Sequence, residues 1–503
     1  MRRHKPTGIL HFAFCIVLLL LSSCSVFGSN PTPTLTASAT ALPTGTPTVI
    51  PTETATTTPI PARPRALYQL AATIDYAAHS LTVAESILYP NHTGQTLNSL
   101  VLAVVPNLWA DCFVLNSVAV DDVPVTDFSI NGQRLDLNLP SPLVPEQTIT
   151  LLIHYSLALP FAEQEDPTIS RPRIFGYTRA QMNLTNWYPF VVPFINGDWV
   201  LHEPWVFGEH LVYDAADFEV NVGFVDSAHI PVVATSGEMQ GIIPLPGQDF
   251  TTYTLTAGRA FALSASPEFK VASQQEGEVT ISSYYFPFND GAGQATLQAA
   301  AQALQIFGER YGPYPHKTLA VVMGDFNDGM EFSAFFYLSR DFYNLYNSAP
   351  SPVNYLIFVA AHETAHQWWF DQVGNDQAIQ PWLDESLATY SERVYYEATN
   401  PKLVATWWAY RVDYYQPQGF VDIPIYDGQG FRLYTNAVYF RGAHFLEELR
   451  TRIGDEAFFA FLQDYVSQER GHIATTADFF RILHTHTQAD FTDIVRHYFQ
   501  NVY

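Results

Sequence analysis

Cysteine is almost missing from this sequence: Cys15, Cys24 and Cys112 are the only three among 503 residues. Cys15 and Cys24 lie in or beside an apolar leader, which leaves Cys112 alone in the body. No internal disulfide framework can form, so stability has to come from buried apolar surface. Positive charge is scarce as well. Lys and Arg number 24 against 49 Asp and Glu, a formal net charge of −25, which repels a phosphate backbone and argues against nucleic acid as a partner. Aromatic residues, by contrast, are plentiful: 28 Tyr and 36 Phe within a hydrophobic content of 48% exclude a generally disordered chain. The length allows two or three cores, because single cores stop growing near ~250–300 residues.

Arg2, Arg3 and Lys5 precede an apolar run from Ile9 to Leu21, interrupted only by His11. The run is shorter than the ~20 residues of a membrane-spanning helix and suits an export signal. Leu21-Ser22-Ser23-Cys24 resembles the lipobox of bacterial lipoproteins. That resemblance implies a signal peptide over residues 1–23, lipid modification of Cys24, and anchoring at the extracytoplasmic face of a bacterial membrane. Residues 24–65 are nearly all Thr, Pro, Ala and Ser, with Glu53, Arg63 and Arg65 the only charges. Such a segment cannot bury a core and is expected to act as an extended spacer.

Two folded regions are expected beyond it. From residue 66 to 262 the apolar pattern has period two: Ile149, Leu151, Ile153 and Tyr155 share one face, as do Phe218, Val220, Val222 and Phe224. Turn signals recur at Pro90-Asn91, Asn131-Gly132, Asn196-Gly197 and Pro246-Gly247. Together they predict an N-terminal antiparallel β-sandwich. From residue 263 to 503 the steps lengthen to three and four. Helices are predicted over the stretches beginning at Ala295, Ser351, Pro381 and Val438, with a strand at Thr318–Met323. Thr475 to Asp478 has the form of a capping box opening a further helix.

His362-Glu363-Thr364-Ala365-His366 is the informative motif. Residues four apart on a helix share a face, so both imidazoles can reach one metal ion, and Glu363 projects beside that face where it can take a proton from water. Glu385 follows His366 by nineteen residues, on a second predicted helix that Pro381 would start. HExxH followed by eighteen residues and a Glu resembles the ligand pattern of gluzincin peptidases, and that resemblance implies Glu385 as third ligand. Two His, one Glu and an open fourth position would make a catalytic zinc site rather than a closed structural one, with one zinc per chain.

HETAHQWW…PWLDESLATY resembles the signature of the membrane alanyl aminopeptidase family of gluzincin zinc metallopeptidases, which includes the leukotriene-hydrolase-type enzymes. The resemblance implies a thermolysin-like α/β, mostly helical, catalytic domain behind the sandwich. In that family a Gly-x-Met-Glu-Asn segment grips the substrate's free amino group. Gly329-Met330-Glu331 matches it, which puts Glu331 on the amine-binding position. A Tyr-x-Lys-Gly-Ala segment supplies the phenol that steadies the oxyanion, and Tyr439-Phe440-Arg441-Gly442-Ala443 matches it with Arg for Lys. The departures are Asp328 and Phe332 within the first segment and Phe370-Asp371 after the second zinc histidine. A further departure is Gln181-Met182-Asn183, where the family often places a second acidic amine ligand and this chain has neutral Asn183.

The sequence thus predicts a compact zinc metallopeptidase that acts on peptides at the cell surface. His362, His366 and Glu385 would hold the metal, Glu363 and Tyr439 would be catalytic, and Glu331, Gly329, Met330 and Asn183 would meet the substrate. Phe332, Phe335 and Tyr337 are candidates for lining the first side-chain pocket. The alternatives are an endopeptidase on the same zinc site and a non-catalytic surface-binding lipoprotein.

Overall fold

The alternating runs of the first region do become strands. The computed structural model describes residues 64–162, 174–245, 247–326, 329–427 and 430–503. The predicted signal peptide, Cys24, nearly all of the spacer, and Asp328 lie outside the described residues. Eight strands form the largest sheet. In spatial order they are Glu238–Leu245, Gln248–Gly258, Ala216–Phe224, Leu67–Asp75, Ser80–Pro90, Thr148–Ala158, Phe113–Val120 and Val123–Pro124. Neighbours run antiparallel except Leu67–Asp75 and Ala216–Phe224, which are parallel. A parallel pair needs a long crossover, and the chain between these two strands supplies it while building the strands from Ser80–Pro90 to Asp198–Trp199.

Period two decides which residues go inside. Ile149, Leu151, Ile153 and Tyr155 are buried, as are Phe218, Val220, Val222 and Phe224. They join a core shared with a four-stranded sheet that includes Leu97–Ala103 and Arg134–Leu143. Asn196-Gly197 closes the hairpin Phe194–Ile195/Asp198–Trp199, with both residues at positive φ (54° and 92°), the two-residue turn whose twist matches the strands. Leu263–Ser266 still belongs to this half, pairing with Val232–Thr235 and Met182–Leu184. The seam therefore falls between Ser266 and Lys270, a few residues beyond the sequence boundary at 262.

The second half starts on a five-stranded mixed sheet, in the order Lys270–Glu276, Val279–Tyr285, Thr318–Gly324, Phe335–Ser339, Met330–Phe332. Met330–Phe332 is the edge strand and runs antiparallel to its neighbour. Helices Asp290–Tyr311 and Tyr355–Ala365 pack on it, and Trp382–Thr399, Gly442–Ile453 and Asp455–Glu469 form a further layer on those helices. The capping box at Thr475 forms as the sequence predicts. The motif helix is shorter than the apolar run suggests. Asn354 caps its start through Leu356 N–H, and it stops at Ala365 with His366 still in helical geometry (φ −61°, ψ −14°). A wide turn from His366 O to Asp371 N follows. It sends Trp368, Trp369 and Phe370 into different parts of the core, so apolar content continues where helix geometry does not. Among the described residues no helix is long and apolar enough to cross a membrane.

Residues 63–503 form one compact unit, and Arg259 shows how the two halves are joined. Its side chain is buried and donates to four backbone carbonyls: Asp371 (3.0 Å), Tyr213 (2.8 Å), Gln372 (3.3 Å) and His472 (2.7 Å). Burial pulls the guanidinium down to about 10, with Asp371 and Asp214 opposing, so it stays charged at neutral pH. Gly374 lies against it, where any Cβ would collide with the guanidinium. Arg259→Met would leave those carbonyls without their donor in a dry interior. Denaturant unfolding of this variant is expected to show a loss of roughly 3 kcal/mol.

Candidate metal centre and active site

Helix Tyr355–Ala365 presents His362 one turn before His366, and helix Trp382–Thr399 packs across it carrying Glu385 in its first turn. All three side chains are buried. His362 Nε2 lies 3.2 Å from Glu385 Oε2, the two Nε2 atoms are 3.1 Å apart, and His366 Nε2 is 3.6 Å from the same carboxylate oxygen. A tetrahedral ion with bonds of ~2.0–2.2 Å would hold its ligand atoms ~3.3–3.6 Å apart, so this donor set fits zinc in spacing as well as in chemistry. The field fits too. Burial opposes charge on both imidazoles, yet hydrogen bonds to Glu385 and Glu392 pull His362 up to about 9, and Glu331 and Glu385 pull His366 up to about 10. Positive charge is favoured at this spot.

Which ring nitrogen faces the metal is settled by a residue that sequence reasoning missed. His362 Nδ1 lies 3.1 Å from Glu392 Oε1, leaving Nε2 to face the other ligands. Glu392 is fully buried and is itself held by Arg411 (2.7 Å) and Trp407 Nε1 (2.9 Å). Burial resists its charge, but Arg411 and His362 outweigh that and keep its carboxyl below the usual range. The signal was present in the sequence: Glu392 follows Glu385 by seven residues, two helical turns on one face.

Glu363 is buried, and it, Glu331 and His366 offer ligand atoms that all lie within 4.8 Å of one another. Gly329 explains part of this crowding. Its α-carbon abuts Glu363, and a Cβ there would run into Glu363 Oε1. Glu331 projects from the edge strand and accepts from Gln377 Nε2 (3.0 Å), whose other proton goes to Asp384 Oδ2 (2.9 Å). Gln377 thus spans two carboxylates and fixes Glu331. Neither Gln377 nor Asp384 was singled out from sequence, because nothing in local spacing marks a loop amide as a brace.

Tyr439 sits on a π-helical turn, Asn436–Arg441, ahead of helix Gly442–Ile453. A side chain at Gly442 would collide with Ser386 Oγ, and that close approach brings Tyr439 over the Glu385 helix. Its ring stacks on His362 (centroids 5.9 Å apart, planes at 5°), and its hydroxyl donates to Glu385 Oε1. Burial and then Glu385 push this phenol well above its usual range, so it keeps its proton and acts as a donor.

The structure does not put Asn183 with these residues. It is fully buried, and its Oδ1 accepts from Ser264 Oγ (2.8 Å) and Tyr337 O–H (3.1 Å). Tyr337 pairs with Met330, and Glu331 pairs with Phe336. Since alternate residues face opposite sides of a sheet, Asn183 contacts the face away from Glu331. The substrate-contact expectation for Asn183 is therefore corrected: its amide links the two sheets at the seam. Tyr337 and Phe335 are also fully buried, whereas Met330 and Phe332 wall a cavity of about 550 Å³. That cavity opens on Glu331 and Gln377 and is closed on its other side by Trp109, Phe175, Glu209 and Tyr213 of the β-rich half. Phe370, one of the departures in sequence, is on its wall, while Asp371 is buried against His316 Nε2 at 2.7 Å.

Residues 295–498 match the peptidase family M1 domain. Aminopeptidase N of Streptomyces lividans is 29% identical over 186 residues, which is 34% of this chain and 22% of that protein. Endoplasmic reticulum aminopeptidase 1 of Mus musculus is 24% identical over 256 residues, 48% of this chain and 27% of that one. This chain therefore spans about a quarter of the length of these relatives. Among solved structures, the M1 zinc metallopeptidase of Deinococcus radiodurans superposes with a TM-score of 0.63 at 20% identity, covering 86% of this chain and 93% of that one. A form of the same protein bound to a Tyr-Ser-Ala substrate superposes at 0.61.

The brace on His362 can be tested directly. Glu392→Gln keeps an acceptor but removes the charge, and it should weaken zinc binding by ~10–100-fold in competition with a chromophoric chelator.

Proposed function

We propose that this chain, which carries a peptidase family M1 domain on the two-domain fold of that family, is a zinc-dependent aminopeptidase that removes N-terminal residues from peptides. The observation that carries this reading is the crowding of Glu331 against Glu363 and His366, within 4.8 Å. A carboxylate at that distance from the catalytic machinery suits a substrate whose ammonium lies one residue from the bond to be cut.

His362, His366 and Glu385 hold the metal, and zinc, when bound, supplies Lewis acidity toward the scissile carbonyl and lowers the pKa of water toward ~7. Glu331, fixed by Gln377, pairs with the N-terminal ammonium and sets the register of the peptide. Glu363 accepts the proton of the attacking water at its carboxylate. As the C–N bond breaks, Glu363 returns that proton to the departing amine nitrogen, so no net charge is left in the site. Tyr439, kept protonated, donates to the oxyanion that develops on the carbonyl oxygen; one such donor contributes ~3 kcal/mol. The cavity beyond Glu331 receives the first side chain.

The address belongs to the same reading. The leader ending in Cys24 and the Thr/Pro-rich stretch after it support a lipid anchor and a spacer, which would place the peptidase at the cell surface with small peptides as its substrates.

Aminoacyl fluorogenic substrates and their N-acetylated twins, given to the zinc-loaded full chain, test the activity. Free amines should be cleaved faster by ~100-fold or more, and Glu363→Gln should lower kcat by ~10²–10⁴-fold. Equal rates on acetylated twins would exclude an aminopeptidase and favour an endopeptidase. Gly329→Ala should displace Glu363 and lower kcat at least ~10-fold while zinc content stays at one per chain.

A further inference from the structure

The substrate's ammonium has three N–H donors. On the reading above it meets Glu331, one of whose oxygens already accepts from Gln377. The position at which the resemblance expects a second acidic ligand is Asn183, and that side chain is turned into the seam. One carboxylate therefore receives the cation from one side of a cavity whose walls are otherwise rich in Trp, Phe, Leu and Val side chains.

A second carboxylate reaches the same cavity from a different part of the chain. Glu209 is buried, with 7% of its surface exposed, and it walls the cavity together with Glu331 and Gln377. Its placement follows from Gly208. That residue has φ +72°, and a Cβ there would lie 2.6 Å from Ile425 Cγ2 and 3.3 Å from the Tyr434 hydroxyl oxygen, so glycine lets the backbone run this close to Ile425, with Tyr434 beside it. Tyr434 in turn packs edge-on against Tyr439 (centroids 5.9 Å apart). Residue 209 is thus delivered near the pair of tyrosines, where its charge acts on Tyr439, and it lines the same cavity as the strand that carries Glu331. Tyr213 senses both acids. Its hydroxyl is pushed well up by burial first, then by Tyr188, and Glu331 and Glu209 each add to the rise.

We propose that Glu209 is the second carboxylate of the N-terminal clamp, a substrate-binding residue supplied by the loop before strand Ala216–Phe224 in place of position 183. The inference rests on the aminopeptidase reading and deepens it. With Glu331 and Glu209 on two walls, an entering ammonium exchanges water for charge-assisted hydrogen bonds on both sides, whatever side chain follows it. An N-acetylated peptide offers no charge and one N–H in place of three, so Glu209 adds to the discrimination between free and blocked peptides.

The test compares zinc-loaded wild type, Glu209→Gln and Glu209→Asp on leucyl, phenylalanyl and arginyl fluorogenic substrates and their N-acetylated twins. Binding of L-leucinamide is measured by calorimetry in a Glu363→Gln background. Glu209→Gln should raise KM about tenfold on all three free-amine substrates, change kcat much less, and weaken L-leucinamide by a similar factor. Glu209→Asp should recover part of the loss, and zinc content and thermal melting should match wild type. An effect confined to the arginyl substrate would assign Glu209 to the side-chain pocket and overturn the proposal. Unchanged KM and L-leucinamide affinity would overturn it while leaving Glu331 and the aminopeptidase reading intact. A wild type that cleaves acetylated twins equally well would remove that reading and this assignment with it.

Discussion

A cluster of buried carboxyl groups is the constraint around which the catalytic half is built. Glu331, Glu363, Glu385, Glu392 and Asp384 are each less than 5% exposed, and they share one neighbourhood. Carboxylates taken out of water are costly unless cations or donors meet them. The protein meets this demand in three ways. Arg411 and Trp407 neutralise and tether Glu392, Gln377 bridges Glu331 and Asp384, and the two imidazoles converge on Glu385. What remains is a site that raises both histidines toward the charged state, the electrostatic condition for holding a divalent cation.

Close backbone approach is the second requirement, and small residues meet it. Gly329 admits the edge strand to Glu363, Gly442 admits the π-turn of Tyr439 to Ser386, and Gly374 makes room for Arg259. Each contact joins elements far apart in sequence. Arg259 reaches from the β-rich half to the turn after the motif helix and to His472 near the end of the chain. The zinc helix is therefore held from outside as well as within, and the cavity wall formed by Glu209 and Tyr213 keeps a set relation to Glu331 across the seam.

Much of this was legible beforehand, for reasons that differ by element. Period-two burial identified the strands because one face of each is dry, and the capping box at Thr475 identified a helix start because its hydrogen bonds are local. His362 and His366 could be named because a helix converts spacing into direction, and Glu385 because its distance from them matches the gluzincin ligand pattern. The apolar pattern outruns the motif helix: Trp368, Trp369 and Phe370 continue it but are buried by a wide turn, not by helix. The resemblance puts Asn183 in the substrate site, whereas its side chain contacts Tyr337, which strand alternation points to the face opposite Glu331.

By itself the sequence determined the chemistry: two imidazoles at helical spacing, a base between them, a carboxylate on the next helix where the gluzincin pattern expects a third ligand, and a core supplied by aromatic and aliphatic residues without disulfides. The tertiary structure alone decided which other side chains share that place. Glu392 locks His362 only because Arg411 folds back onto it, Gln377 braces Glu331 from a loop, and Glu209 arrives beside Tyr434 through a glycine with positive φ. The physical reason is the same in each case. Periodicity encodes direction within one element, but the meeting of separate loops depends on packing between elements, which no local pattern records.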